Sequence, residues 1–341
     1  MYTITKRYVM EGFMNYDYYR VFLAVGKRGS FTRAAEELYT SQPAVTRTIK
    51  NLESELGVRL FVRGKKGVEF TPEGKRLYDS VNAAFQLLEK AEGEVADSAS
   101  LEKGTIALGS TITALDEFLL DFIESFRLEH PGIKFKICTQ SSDLTIAKLR
   151  QGLIDIAFVT TPFHEGEGLS SVILKDFDNI VIAGNGYPEL KAGVHSIPEL
   201  AKYPFVYLSS AMQLREYTDV IFSRHGIQIS PLVELDSAST IAPMVAKNLG
   251  IGIVPKSLVR SALAKGSVFQ VTLDEPLPRR SVAMLRSLAF PASYAAKRFF
   301  DKAKEKSKEK SPSIGQSRGK PRGFLAWEQE KPSPSDKGGN G

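Results

Sequence analysis

Gly29-Ser30-Phe31-Thr32-Arg33-Ala34-Ala35-Glu36-Glu37-Leu38 and, two residues later, Ser41-Gln42-Pro43-Ala44-Val45-Thr46-Arg47-Thr48-Ile49 decide how the amino-terminal part of this chain folds. Ser30 offers its hydroxyl to the free amides of a helix start, and Phe31, Ala34, Ala35 and Leu38 follow at helical spacing. Ser41 opens a second helix, with Pro43 tolerated in its first turn. Val45, Ile49, Leu52 and Leu56 form its inward face, and Gly57 ends it. A connection of about two residues between such helices is a helix-turn-helix. Upstream, Tyr16 to Lys27 reads as another helix, with Tyr19, Phe22 and Leu23 on one side and a break at Arg28-Gly29. Downstream, Val58 to Phe70 carries β-type residues around Gly64-Lys65-Lys66-Gly67, which reads as a hairpin or wing. Thr71-Pro72-Glu73 then starts a long helix. Along it Leu77, Val81, Ala84, Leu88, Ala91 and Val95 recur as an a/d seam about three heptads long, the pattern of a helix that pairs with another helix.

The chemistry of the outward residues is suited to DNA. With the apolar row inward, the helix opened by Ser41 exposes Gln42, Thr46 and Arg47, side-chain types that read adenine, a thymine methyl and guanine. Lys50, one turn further on, suits a phosphate. Ser30, Thr32 and Arg33 stand at the start of the preceding helix, where amides and hydroxyls suit a phosphate oxygen. Arg63, Lys65 and Lys66 on the wing suit the backbone or a minor groove. The charge distribution agrees. Of the net +6, residues 15–75 hold +4 (eleven Lys/Arg against seven Asp/Glu), residues 303–341 hold +4, residues 1–14 hold +1 and residues 76–302 hold −3. A basic module beside a mildly acidic body points to a polyanion partner for one and another task for the other.

From Gly104 the texture changes to alternating strands and helices. Strand candidates are Thr105–Gly109, Lys134–Thr139, Ile154–Thr160, Asn179–Ala183, Phe205–Leu208, Pro231–Leu235 and Gly252–Pro255, with helical patterns at Asp116–His130 and Leu144–Gly152. This alternation predicts a parallel sheet flanked by helices, in two small α/β lobes. Beyond Ala303 the chain is rich in Lys, Glu, Ser, Pro and Gly, apart from Phe324-Leu325-Ala326-Trp327, and its composition predicts a disordered basic tail. The expected division is a leader at 1–13, a DNA-binding domain at 14–75, a dimerisation helix at 76–100, a two-lobed domain at 104–302 and the tail at 303–341.

Several classes are disfavoured. One cysteine, Cys138, and four scattered histidines make neither a disulfide framework nor a metal site, so no metal or cofactor is expected. No apolar stretch reaches the roughly 18 residues of a membrane span. Without a signal-peptide core, a cytoplasmic location is expected. An enzyme is disfavoured because no nucleophile elbow, P-loop or complete dinucleotide fingerprint is present, and Gly250-Ile251-Gly252 lacks its third glycine. A solute-binding protein fits poorly with the attached basic helical module, and an architectural protein binding DNA without a ligand is the further alternative, against which a salt-resistant sequence preference and an effector-dependent shift would discriminate.

The sequence resembles the LysR-type transcriptional regulators over Met14–Arg298. The resemblance rests on Phe22-Leu23-Ala24-Val25, on the two runs quoted first, and on Leu52-Glu53, Leu56-Gly57, Leu60-Phe61 and Thr71-Pro72-Glu73-Gly74. Further matches are Gly152-Leu153-Ile154-Asp155-Ile156-Ala157 and Gly250-Ile251-Gly252-Ile253-Val254-Pro255. The first thirteen residues and the tail depart from the family pattern. The resemblance implies an α/β chain overall: an N-terminal winged helix-turn-helix with DNA contacts at Ser30, Thr32, Arg33, Ser41, Gln42, Pro43, Thr46, Arg47, Lys50, Arg63 and Lys65, a long linker helix, and a C-terminal two-lobed, periplasmic-binding-protein-like domain. It implies a regulator working on an operator as a homodimer or homotetramer, with RNA polymerase as a further partner. It also implies a small effector, here expected to be an anionic metabolite, held between the lobes. Strand-end residues that suit its binding are Ser110, Thr111, Gln140, Thr160 and Ser209. Effector identity, operator sequence and the sign of regulation are not legible.

Overall fold

A computed structural model describes residues 15–64, 67–97, 104–164, 166–210, 212–290 and 292–310, in two compact units divided between Gly93 and Glu94. The expected leader, the tail beyond Lys310 and Lys65 lie outside the described residues, as do the side chains of Arg63 and Val95.

The first unit is built from α1 (Tyr16–Arg28), α2 (Phe31–Glu37), α3 (Gln42–Leu56), β1 (Phe61–Gly64), β2 (Gly67–Phe70) and α4 (Pro72–Asp97). Its helix ends are set by local chemistry. Asn15, Ser30 and Ser41 accept from amides of their own first turns, and Gly29 and Gly57 end α1 and α3 with φ of +59° and +69°. β1 and β2 form an antiparallel hairpin in which Phe61 faces Phe70 and Gly64 faces Gly67. Phe22, Val25, Ala34, Ala35, Val45, Ile49, Leu52, Leu60 and Phe61 make the core. Phe22, Phe61, Phe70 and Tyr78 join it as a run of ring contacts at 4.8–6.2 Å. Leu56, expected inward, is instead 40 % exposed, because α3 ends at Gly57 before its last turn reaches the core. α4 starts against the wing: a Cβ at Gly74 would run into the Leu60 carbonyl oxygen, so only glycine permits that approach.

The second unit contains two lobes. The chain enters the first through β3 (Gly104–Ser110). It continues through α5 (Ile112–Ala114), a π-helical turn at Leu115–Leu119, α6 (Leu120–Glu129), β4 (Ile133–Thr139), α7 (Ser142–Arg150), β5 (Ile156–Thr160) and β6 (Leu169–Phe177). It then builds the second lobe from β7 (Asn179–Gly184), α8 (Ile197–Leu200), β8 (Val206–Leu208), α9 (Gln213–Ser223), β9 (Val233–Leu235), α10 (Ile241–Ala246), β10 (Gly252–Pro255), α11 (Arg260–Ala264) and β11 (Val268–Val271). It returns through β12 (Arg280–Ser287) and closes with α12 (Tyr294–Lys310).

The first-lobe sheet has the order β4-β3-β5-β12-β6, with β3 parallel to β4 and β5, and β12 antiparallel to both neighbours. In the second lobe β7 lies between antiparallel β10 and β11, and β8 pairs in parallel with β9. The expectation of parallel sheets is thereby corrected to mixed ones. The returning strand β12 enters the first sheet reversed, and β7, β10 and β11 reverse direction at each pairing. The crossings between lobes are tied by Arg279, whose Nε donates to Asp178 Oδ1 at 2.8 Å.

The boundary expected at 302/303 is also corrected. α12 runs to Lys310, and Ala295, Ala296, Phe299, Phe300, Ala303 and Ser307 are buried along one side of it. Lys302 pairs with Glu129, and Lys306 Nζ donates to Ser125 Oγ at 3.1 Å. The Lys/Glu-rich composition hid a helical stripe of small residues. Among the described residues no helix is long and apolar enough to cross a membrane.

Candidate operator face and effector cavity

In the first unit, α3 presents Gln42, Pro43, Arg47 and Lys50 exposed and Thr46 half-buried, opposite buried Val45, Ile49 and Leu52. Gln42 Nε2 donates to Thr46 Oγ1 at 2.9 Å, which holds the amide along the helix surface. Thr32 and Arg33 are exposed on α2. The Ser30 and Ser41 hydroxyls accept from the amides of Arg33 and Ala44, each at 3.4 Å, so both serve as caps. Several cations elsewhere on this unit are paired: Lys75 with Asp79, Arg76 with Glu73, and two with Glu37. Arg28 and Lys27 both reach Glu37, and the Arg28 guanidinium, as donor to that carboxylate, holds its pKa below the usual range. Arg33, Arg47 and Lys50 have no ion-pair partner among the described residues, which leaves their charge available to an outside anion.

On α4, Leu77 packs against the winged-helix core. It therefore serves its own domain, unlike the expected seam partners beyond it. Val81 is half-buried, while Ala84, Leu88 and Ala91 are exposed, Leu88 by 49 %.

In the second unit a cavity of about 350 Å³ opens at the strand ends. The first lobe contributes Thr111, Thr113, Thr139, Gln140, Ser142, Thr160 and Arg280, and the second contributes Leu208, Met212, Asp236, Ser237 and Ser239. Of the five expected effector residues, Thr111, Gln140 and Thr160 line it. Ser110 does not: it is fully buried, and its hydroxyl donates to the Thr111 carbonyl at 2.9 Å. Ser209 does not either. Its amide continues the β8–β9 pairing to the Leu235 carbonyl at 2.9 Å, and Leu208 lines the cavity from that strand end. Thr111 Oγ1 accepts from the Ala114 amide at 3.1 Å, so it caps a helix start while facing the cavity.

Sequence reasoning missed Arg280. Its side chain is 3 % exposed, Nη2 donates to Thr160 Oγ1 at 2.8 Å, and Nε donates to the Thr161 carbonyl. The guanidinium lies over the rings of Phe177 and Tyr217 at 5.4 and 5.2 Å. Burial lowers its pKa to about 10, so it stays charged at neutral pH. Burial also raises the Tyr217 phenol to about 12. A usable signal existed: Arg280, Val282 and Met284 alternate on one face of β12, and all three are buried.

With both sites described, the comparisons with known proteins decide the family. Residues 16–75 match the model of the bacterial regulatory helix-turn-helix protein, lysR family, and residues 99–308 match that of the LysR substrate binding domain. The chain belongs to the LysR family. Members of the LysR family are DNA-binding transcriptional regulators with an effector-binding domain. One relative is a probable RuBisCO transcriptional regulator of Porphyra purpurea, 28 % identical over 286 residues that cover 82 % of this chain and 89 % of that protein. Another is the transcriptional activator protein LysR of Escherichia coli (strain K12), 25 % identical over 81 % of this chain and 91 % of that one. The fold is shared with the crystal structure of CbnR, a LysR family transcriptional regulator, at 18 % identity and a TM-score of 0.71 over 86 % of this chain and 100 % of that one. Full-length CbnR is also known in a complex with its target DNA, and matches with a TM-score of 0.70. The LysR substrate-binding match ends at residue 308, near the end of α12.

Proposed function

We propose that this chain is a cytoplasmic operator-binding regulator that acts by binding rather than catalysis, with α3 as its reading element and the cavity at the strand ends as its effector site. The unpaired cations on and beside the outer face of α3 carry this reading, because an exposed cation without a carboxylate neighbour is the feature a phosphate backbone selects. Gln42, Thr46 and Arg47 read base edges, Lys50 and Arg33 meet phosphate, and Thr32 stands beside them at the start of α2. Ser30, Ser41 and Pro43 position the two helix starts, and Arg63 and Lys65 complete the contact from the wing. Two copies joined through α4 set two reading helices on a two-part operator, a geometry one module of about 60 residues cannot supply alone. Thr111, Gln140 and Thr160 contact the effector, and RNA polymerase receives the outcome. That full-length CbnR, which shares this fold, is known in complex with its target DNA supports the operator-binding reading.

The test separates the two kinds of contact. Arg47→Ala is expected to cost about 1–3 kcal/mol on the specific site and relax base preference. Lys50→Ala should weaken all DNA alike and reduce the salt slope by about one unit. Competition binding at fixed salt measures both. An unchanged ratio of specific to nonspecific affinity in Arg47→Ala would remove its reading role.

A further inference from the structure

The cavity has a polarity that its hydroxyl-rich lining does not explain. At one end Arg280 is buried as a cation with no carboxylate partner among the described residues, and its Nη1 lacks any hydrogen-bond acceptor. Its other donors are committed: Nη2 to Thr160 and Nε to the Thr161 carbonyl. Phe177 and Tyr217 fix the plane of the guanidinium. Elsewhere in the lining, at the end of β4, Gln140 Nε2 is buried without a partner, and nine-residue α7 begins at Ser142. A buried charge without a counter-ion is unfavourable, and so is a buried amide donor without an acceptor. The Arg280 cation is complementary to an oxyanion on a ligand, and the Gln140 amide to a further acceptor on it. The second lobe supplies the opposite character. Asp236 is exposed at the end of β9 without an ion pair among the described residues, and Ser237 and Ser239 flank it.

We propose that the effector is a small organic acid with one carboxylate, held by Arg280, with an acceptor group for the Gln140 amide and a hydroxyl or ammonium donor facing Asp236. This proposal rests on the reading of the cavity as the effector site and adds its ligand class: a hydroxy acid or an amino acid. A second carboxylate would meet Asp236 and be repelled. A cavity of about 350 Å³ suits a ligand of metabolite size.

The test is thermal shift and calorimetry on the full chain at constant ionic strength, with lactate, alanine, lactamide, succinate and inorganic sulfate as probes. Lactate and alanine are expected to raise Tm, while lactamide, its neutral counterpart, and succinate raise it less. Arg280→Gln should weaken the better binder by on the order of tenfold or more, since a hydrogen bond to a charged group is lost. The readout that a purely structural arginine would not move is the preference for lactate over lactamide, which Arg280→Gln should abolish whatever the lost bonds to Thr160 and Thr161 do to the unliganded Tm. Should that variant fail to fold, Gln140→Leu is expected to weaken lactate severalfold, and Asp236→Asn to bring succinate up to lactate. Equal shifts from lactate and lactamide, with Arg280→Gln and Gln140→Leu both neutral, would overturn the anion inference while leaving the cavity an effector site. Sulfate stabilising more than any carboxylate would overturn the organic-acid class. No shift from any probe would remove the effector-site reading and this inference with it.

Discussion

Tyr39 stands in the turn between α2 and α3 with φ of +52° and is 97 % exposed. A bulky residue rarely takes this left-handed backbone, and here the side chain gains no burial in return. The turn itself is anchored elsewhere, through the Tyr39 amide to the Glu36 carbonyl at 3.2 Å and the Thr40 amide to the Ala35 carbonyl at 2.9 Å. Tyr39→Asn is therefore expected to stabilise the first unit by about 0.5–1 kcal/mol. Denaturant unfolding measures it, and a lowered midpoint would show that the phenol ring contributes contacts. At this scale much of the site was legible. Ser30, Ser41, Gly29 and Gly57 act within a few residues of themselves, so their types alone locate the helix ends. Arg280 acts through Thr160 and Thr161, more than a hundred residues away in sequence, and no local pattern connects them. Ser110 and Thr111 were adjacent and chemically alike, and only the turn of the chain at the end of β3 decides which one faces the cavity.

The long helix α4 divides its labour along its length. Its first turns belong to the winged-helix core through Leu77 and Tyr78, and Tyr16 stacks on Phe85 at 4.5 Å. Beyond them Ala84, Leu88 and Ala91 leave an apolar row without cover from their own unit. Leu77→Ala should therefore cost about 1–3 kcal/mol of folding stability without changing the oligomer. Leu88→Glu should do the reverse, since a carboxylate in a paired seam costs several kcal/mol while on a free surface it costs almost nothing. Analytical ultracentrifugation decides between them. A Leu88→Glu protein with its oligomer intact would place the pairing surface elsewhere. The heptad reading was right in locating this helix, but sequence spacing cannot tell an apolar residue used at home from one kept for a partner. α12 shows the opposite error. Its Lys and Glu residues dominate composition, while Ala303 and Ser307, small and easily overlooked, carry the packing.

Across the molecule the cores are separate: one in the winged-helix unit, two on the faces of the first-lobe sheet, and one filling the second lobe. A ligand in the cavity touches only the α/β unit. At a hundred times its Kd it should add about 2.7 kcal/mol to that unit's stability. In scanning calorimetry the transition of this unit should move and that of the winged-helix unit stay in place. A common shift of both would show that the effector's binding energy reaches the DNA-binding unit directly. The two-lobed α/β class was legible from the alternation of strands and helices. Its strand directions were not, because β6, β11 and β12 are paired by topology rather than by any local signal. The position of β12 has a consequence for how the chain is made. Among the described residues it is the last strand to leave the ribosome, yet it belongs in the interior of the first sheet, between β5 and β6. Until it arrives, β5 and β6 each present an open edge, and the first lobe waits unfinished while the later-made second lobe, a continuous segment, closes on its own. Exposed edges of this kind invite mispairing with other nascent chains. Slow synthesis or truncation before Arg280 therefore endangers the lobe made first, and chaperone demand during expression should fall once β12 has been translated.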